Sequence, residues 1–151
     1  MIIYYLDASA WVKRYYQEVG TQWVQGLFIR GETIACASLG IIEVMATLSR
    51  KRKAREIALS QFKLKAQELE DDWKRFIQIQ MTSEIVDNAK ELTKKLVLRG
   101  SDAVHLSSAL LLQKLFLEEG DRLIVVTSDC ELKEAAEYSG ICVIDPVEQK
   151  G

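Results

Sequence analysis

The sequence predicts an α/β fold of three layers, a five-stranded parallel sheet flanked by helices. Three observations predict it. The chain opens on Ile2-Ile3-Tyr4-Tyr5-Leu6, apolar or aromatic at every position, which reads as a strand buried on both faces. Four more short β-type runs follow, at Thr33 to Ala37, Ile77 to Gln80, Leu123 to Val126 and Ile141 to Ile144. Stretches of helical periodicity separate them, and strands that alternate with helices pair in parallel.

The first run ends at Asp7. Small residues follow, then Trp11, Val12, Tyr15 and Tyr16 at helical spacing, so a helix is expected over Ala8 to Tyr16 and a second over Val19 to Arg30. Gly31-Glu32 is a turn. Ser38 can cap a helix from Leu39 to Arg50. The basic run Arg50, Lys51, Arg52, Lys53 and Arg55 leads into a long amphipathic helix. Its stripe is Leu59, Phe62, Ala66, Leu69, Trp73 and Phe76. Thr82 can cap a helix with Ile85, Ala89, Leu92 and Leu96 on one face. Gly100 breaks the chain, and Ser101 caps a nearly all-apolar, hence central, helix to about Glu118. Gly120-Asp121 turns. Ser128 and Glu131 stand at capping-box spacing and open a helix to about Tyr138, which Ser139-Gly140 ends. The predicted order is βαα-βαα-βαα-βα-β.

The chain has 151 residues, enough for one domain with a proper core over 1–151. It is 48% hydrophobic and 28% charged, as soluble globular proteins are. No apolar run is long enough to span a bilayer, and no charged leader precedes the first strand. Cys36, Cys130 and Cys142 are odd in number and lack Cys-x-x-Cys spacing, which points to buried free thiols in a reducing cytoplasm and away from zinc. A net charge of −2 is unlike that of a duplex-coating protein. Nucleic acid would need a local patch and a metal ion.

Four acids stand out by position. Asp7 lies at the carboxyl end of a central strand, where open parallel sheets place their ligand crevice. It would equally serve as the N-cap of the next helix. Glu43 interrupts an otherwise apolar helix. Its neighbours Gly40, Ala46 and Thr47 are small, and no basic residue stands one turn away. A lone buried carboxylate is costly, so Glu43 needs either a salt bridge from elsewhere or an approaching ligand. Asp102 falls in the first turn of the central helix, where the helix dipole favours it. Asp129 follows the strand Leu123 to Val126 and the polar pair Thr127-Ser128, again at a strand end. Carboxylates without His or Cys at ligand spacing suit Mg²⁺ or Mn²⁺. Such an ion would relieve their repulsion, activate a water and neutralise a phosphodiester.

Leu6-Asp7-Ala8-Ser9-Ala10 with Lys13-Arg14-Tyr15, the Glu43 helix, Gly100-Ser101-Asp102-Ala103-Val104-His105-Leu106 and Val126-Thr127-Ser128-Asp129 resemble, in order and spacing, a PIN domain of the VapC toxin type. The resemblance covers essentially the whole chain. It implies a PIN-like fold and a Mg²⁺- or Mn²⁺-dependent ribonuclease, with Asp7, Glu43, Asp102 and Asp129 as catalytic and metal-holding residues. It implies an RNA substrate, a cognate antitoxin protein and a homodimer. Ser9, Thr127 and Ser128 fall where the family places supporting polar groups. A PIN-fold RNA-processing or binding subunit without a toxin role is the alternative.

His105 shares a helix face with Asp102 and reads as a structural hydrogen-bonding group or a general base. Lys13, Arg14 and the run Arg50 to Arg55 read as solvated charge or as contacts to an RNA backbone. The Trp73 and Phe76 stripe reads as core or dimer surface. A receiver domain would need an acidic pair at its start and a Lys-Pro after its last strand. A haloacid-dehalogenase phosphatase would need an Asp where Ser9 stands.

Overall fold

The computed structural model describes residues 1–116 and 118–150. Strand β1 (Ile2–Leu6) is the middle of a five-stranded sheet in the order β3-β2-β1-β4-β5. Its companions are β2 (Thr33–Ala37), β3 (Ile77–Ile79), β4 (Arg122–Val126) and β5 (Cys142–Ile144), and every pairing is parallel. The helices are α1 (Ala8–Trp11), α2 (Thr21–Ile29), α3 (Ser38–Lys53), α4 (Leu59–Trp73), α5 (Ser83–Lys95), α6 (Gly100–Phe116) and α7 (Cys130–Tyr138).

Side chains alternate across a strand, so the strands divide the core into two layers. Ile3, Tyr5, Leu123 and Val125 pack with Ile85, Leu106, Leu112 and Leu132, against α5, α6 and α7. Leu6, Ile124 and Val126 pack with Trp11, Val44, Leu48 and Leu69, against α1, α3 and α4. Within this second layer the rings of Trp11 and Phe76 lie 4.6 Å apart and those of Trp11 and Trp73 5.7 Å apart. The aromatic stripe is therefore core.

Several boundaries differ from the sequence reading, each for a local reason. The helix expected to reach Tyr16 tightens into a 3-10 turn over Val12–Arg14. The second begins only at Thr21, after Gly20 turns the chain at a φ of +97°. Ser38 lies inside α3 and its hydroxyl donates to Gln80 Oε1 at 3.2 Å, so it is not a cap. The cap before α7 is Asp129, not Ser128. Helix α6 already includes Gly100, ahead of the expected Ser101 cap. The end expected near Glu118 runs through Leu117, outside the described residues. Thr82 does cap α5, accepting from Ile85 N at 3.3 Å. Of the cysteines expected to be buried, only Cys36 is; Cys130 and Cys142 are exposed.

The strand order places the site. From β1 the chain builds outward through β2 and β3, then returns to add β4 and β5 on the other side. Connections diverge between β1 and β4, and a crevice opens beyond their carboxyl ends. Leu6 is in register with Val126, so Asp7 and Thr127 leave the sheet side by side. Among the described residues no helix is long and apolar enough to cross a membrane.

Candidate active site

Asp7 is buried, and both its carboxylate oxygens are occupied. Oδ1 accepts from Ser9 Oγ at 2.8 Å and from Ala10 N at 3.0 Å, while Oδ2 accepts from Thr127 Oγ1 at 2.7 Å. It caps α1 at the carboxyl end of β1, so the helix-cap reading holds. Burial pushes its pKa above the usual carboxylate value, and the charge of His105 and these donors offset only part of that. Thr127 bridges onward, its Oγ1 accepting from Asp129 N at 3.0 Å. Ser9 Oγ accepts from Ser128 N at 3.0 Å. The polar residues after β1 and β4 thus form one hydrogen-bonded seam.

Asp129 Oδ1 accepts from Leu132 N at 2.9 Å, which closes the first turn of α7. Its Oδ2 is paired with the guanidinium of Arg99. Arg99 also reaches Asp102, with Nε 3.2 Å from Oδ2. One arginine therefore joins an acid on α6 to an acid on α7. Asp102 is buried. Burial first, then the negative charges of Asp129 and Asp7, hold its pKa up against the pull of Arg99. Thr127 thus links Asp7 to the backbone of Asp129, and Arg99 links Asp129 to Asp102.

Glu43 has a partner that local spacing could not reveal. His105 projects from α6 to α3, and its Nε2 lies 2.6 Å from Glu43 Oε1. On the other side of the ring, Nδ1 lies 2.7 Å from Tyr5 Oη, which also accepts from Ala37 N at 3.1 Å. Burial disfavours the imidazolium, but Tyr5, Cys36 and Glu43 around the ring outweigh it and raise the pKa of His105 well above the ordinary histidine value. Of the small residues beside Glu43, Gly40 faces Cys36 and not an opening. A Cβ on Gly40 would fall 2.2 Å from Cys36 Sγ, so glycine is needed for α3 to approach β2. His105 is thus the structural group the sequence suggested, not a free base.

Lys13, Arg14 and Lys51 have partners elsewhere. Lys13 is buried and pairs with Glu18 at 2.9 Å. Arg14 donates from Nε to buried Asp72 at 2.9 Å and lies 4.1 Å above the Phe28 ring. Arg14 thereby ties the turn after α1 to α2 and α4, and Lys13 closes the segment that leads into α2. Arg52, Lys53 and Arg55 are exposed, and Lys51 pairs with Glu56 at 3.1 Å.

Among the described residues no three of His, Cys, Asp and Glu stand together as a ready ligand set. The donor chemistry nevertheless fits a hard divalent ion. The three aspartates are oxygen donors, Asp102 has its pKa raised in part by the charges of Asp129 and Asp7, and Asp102 and Asp129 already hold a cation in the form of Arg99. Sequence reasoning missed Arg99, although it lies one helical turn before Asp102. It also missed Tyr5, whose hydroxyl is hidden in an apolar strand.

The PIN domain model matches residues 4–138, and the chain belongs to the PIN-domain family. Within that family it is 30% identical over 149 residues to Ribonuclease VapC45 of Mycobacterium tuberculosis (strain CDC 1551 / Oshkosh), covering 98% of each chain. Its fold matches that of DNA-bound VapBC from Salmonella typhimurium with a TM-score of 0.65 and 13% identity, over 97% of this chain and 99% of the other. A toxin–antitoxin complex from Klebsiella pneumoniae matches with a TM-score of 0.61 and 17% identity, over 96% and 98%.

Proposed function

We propose that this chain is an endoribonuclease of the VapC type that hydrolyses RNA phosphodiester bonds with Mg²⁺ or Mn²⁺, as the toxin of a toxin–antitoxin pair. The observation that carries this reading is the chain of contacts beyond the carboxyl ends of β1 and β4 in which Thr127 links Asp7 to Asp129 and one exposed guanidinium, that of Arg99, links Asp129 to Asp102. RNA as substrate is supported by the ribonuclease to which the chain is 30% identical over 149 residues. An antitoxin partner is supported by the toxin–antitoxin complex that shares the fold. A homodimer working in the cytoplasm belongs to the same reading.

Asp7, Asp102 and Asp129 would hold the ion, with Glu43 beside them as a further ligand or as the group that orients the attacking water. When bound, the ion supplies Lewis acidity toward the phosphate and charge to offset the carboxylates. The chain's own part is positioning. Ser9, Ala10 and Thr127 fix both oxygens of Asp7. His105 holds Oε1 of Glu43, and Oε2 has no partner among the described residues. Glu43 can accept a proton from a water that attacks phosphorus in line with the departing oxygen.

The test is cleavage of single-stranded RNA by the purified chain with Mn²⁺ or Mg²⁺, against chelator and against Asp102→Asn. Cleavage that needs both the ion and Asp102 supports the reading. Cleavage that survives chelator or the substitution overturns the metal scheme. Metal-independent RNA binding without cleavage would favour a processing or binding subunit.

A further inference from the structure

The seat of Arg99 is the feature the proposed reaction leaves unexplained. Its backbone opens α6, the carbonyl accepting from Ala103 N at 3.0 Å, so its root is fixed. Its side chain is 67% exposed, yet it ends between two carboxylates that are 8% and 18% exposed. A planar fork suits this bridging. It also sets a guanidinium between an acid of α6 and the acid that caps α7.

We propose that Arg99 is a resident counter-cation, which occupies Asp102 and Asp129 in the metal-free protein and must be displaced before a divalent ion can bind them. The inference rests on the metal-dependent reading above. Two considerations carry it. One exposed ion pair is weak, because solvent screens it and a long side chain must be held still. A fixed root with an exposed head therefore lets Arg99 hold the acids in place and still yield to an ion of higher charge. The same geometry makes Arg99 a direct competitor, since an ion taking Asp102 Oδ2 and Asp129 Oδ2 needs the oxygens that Arg99 uses. Arg99 thereby sets the concentration of ion at which the site loads.

Direct Mn²⁺ binding, read by calorimetry and by the free-Mn²⁺ paramagnetic resonance signal, tests this on wild type, Arg99→Gln and Arg99→Lys. A competitor at this seat predicts Arg99→Gln to bind at least about threefold tighter, the scale of losing one exposed ion pair. Arg99→Lys, which keeps the charge but cannot bridge two carboxylates, should fall between Arg99→Gln and wild type. In chelator the Arg99→Gln melting temperature should drop, and the rise on adding Mn²⁺ should exceed that of wild type. Equal or weaker binding by folded Arg99→Gln overturns the inference. So does Arg99→Lys matching wild type while Arg99→Gln alone is tighter, because that pattern reports only general charge. If Arg99→Gln does not fold, Arg99→Ala takes its place with the same expected outcomes. If wild type binds no Mn²⁺, the metal reading itself fails, and this inference with it; binding by wild type without tightening in the variants sinks the inference alone.

Discussion

His105 Nε2 stands 2.6 Å from Glu43 Oε1, closing a contact between α6 and α3 across 62 positions of sequence. Behind it, Tyr5 fixes the ring from the centre of the sheet. The Glu43 carboxylate is therefore braced, through His105, by a hydroxyl buried in β1.

Tyr5→Phe removes one oxygen and keeps the ring in its place. Ala37 N and His105 Nδ1 then lose their partner inside the core. An orphaned buried polar group costs about 1–3 kcal/mol, and urea unfolding should show a loss on that scale. RNA cleavage per folded molecule should fall less than about tenfold, because His105 still reaches Glu43 and one buried hydrogen bond contributes about 1 kcal/mol. Unchanged stability would mean that the hydroxyl is not part of the brace.

Asp7→Asn separates the two roles of that residue. Asparagine caps helices as well as aspartate does, and it no longer needs to bury a charge. Stability should stay within about 1 kcal/mol of wild type. Metal-dependent cleavage should fall at least about 100-fold, since a charged oxygen at the ion is lost. Retained cleavage would reduce Asp7 to a cap.

The raised pKa values of Asp7 and Asp102 dictate a pH dependence with a definite sign. Burial is the main cause for both, joined at Asp102 by Asp129 and Asp7. An unfolded aspartate titrates near about 3.9. Between that value and the higher folded pKa, the folded state binds more protons, so this contribution to stability falls as pH rises and is gone above the folded pKa. Asp121 and Asp145 are shifted the other way and gain stability above their unfolded value. The difference between wild type and Asp102→Asn isolates the site. In chelator, wild type should lose melting temperature relative to the variant as pH rises from about 4 toward neutral. Protons and metal compete for the same oxygens, so the rise produced by Mn²⁺ should grow over the same range. A difference that stays flat with pH would show that Asp102 is not held up in the folded state.

What the sequence could show follows from which interactions are local. The apolar run of β1, the Thr82 cap and the order of strands and helices are written in neighbouring residues, and the sheet has that order. The places of Asp7, Asp102 and Asp129 at helix starts could be read because strand ends and helix starts can be located from such patterns. The His105–Glu43 pair was not visible. It joins two helices far apart in sequence, one of which is seated against β2 by Gly40 meeting Cys36, a contact no periodicity encodes. Arg99 was hidden differently, since an exposed arginine beside a helix start looks like ordinary solvated charge until Asp129 arrives from α7. Cap positions were also misjudged by one residue at Ser128. There Asp129 had the better placed carboxylate, and the Ser128 hydroxyl donates to Asp145 instead.

Arg14 lies near the start of the chain's functional segment, and sequence alone allowed it a role in holding RNA. Its surroundings assign it to the fold. Nε and Nη2 both point to buried Asp72, Nη1 donates to Gln25 at 2.6 Å, and Tyr15 Oη donates to the same Asp72 oxygen as Nε at 2.6 Å. Removing the guanidinium leaves a buried carboxylate with one neutral donor, and breaking such a pair costs about 3 kcal/mol. Arg14→Ala should therefore lower the urea midpoint substantially. Below that midpoint, cleavage per folded molecule and the salt dependence of RNA binding should match wild type, because no phosphate contact is lost. Asp72→Asn should destabilise as well, and the double variant Arg14→Ala/Asp72→Asn should lose less than the two single losses combined, since the pair acts as a unit. An Arg14→Ala protein of full stability with weakened, less salt-sensitive RNA binding would reverse the assignment and make Arg14 part of the RNA surface.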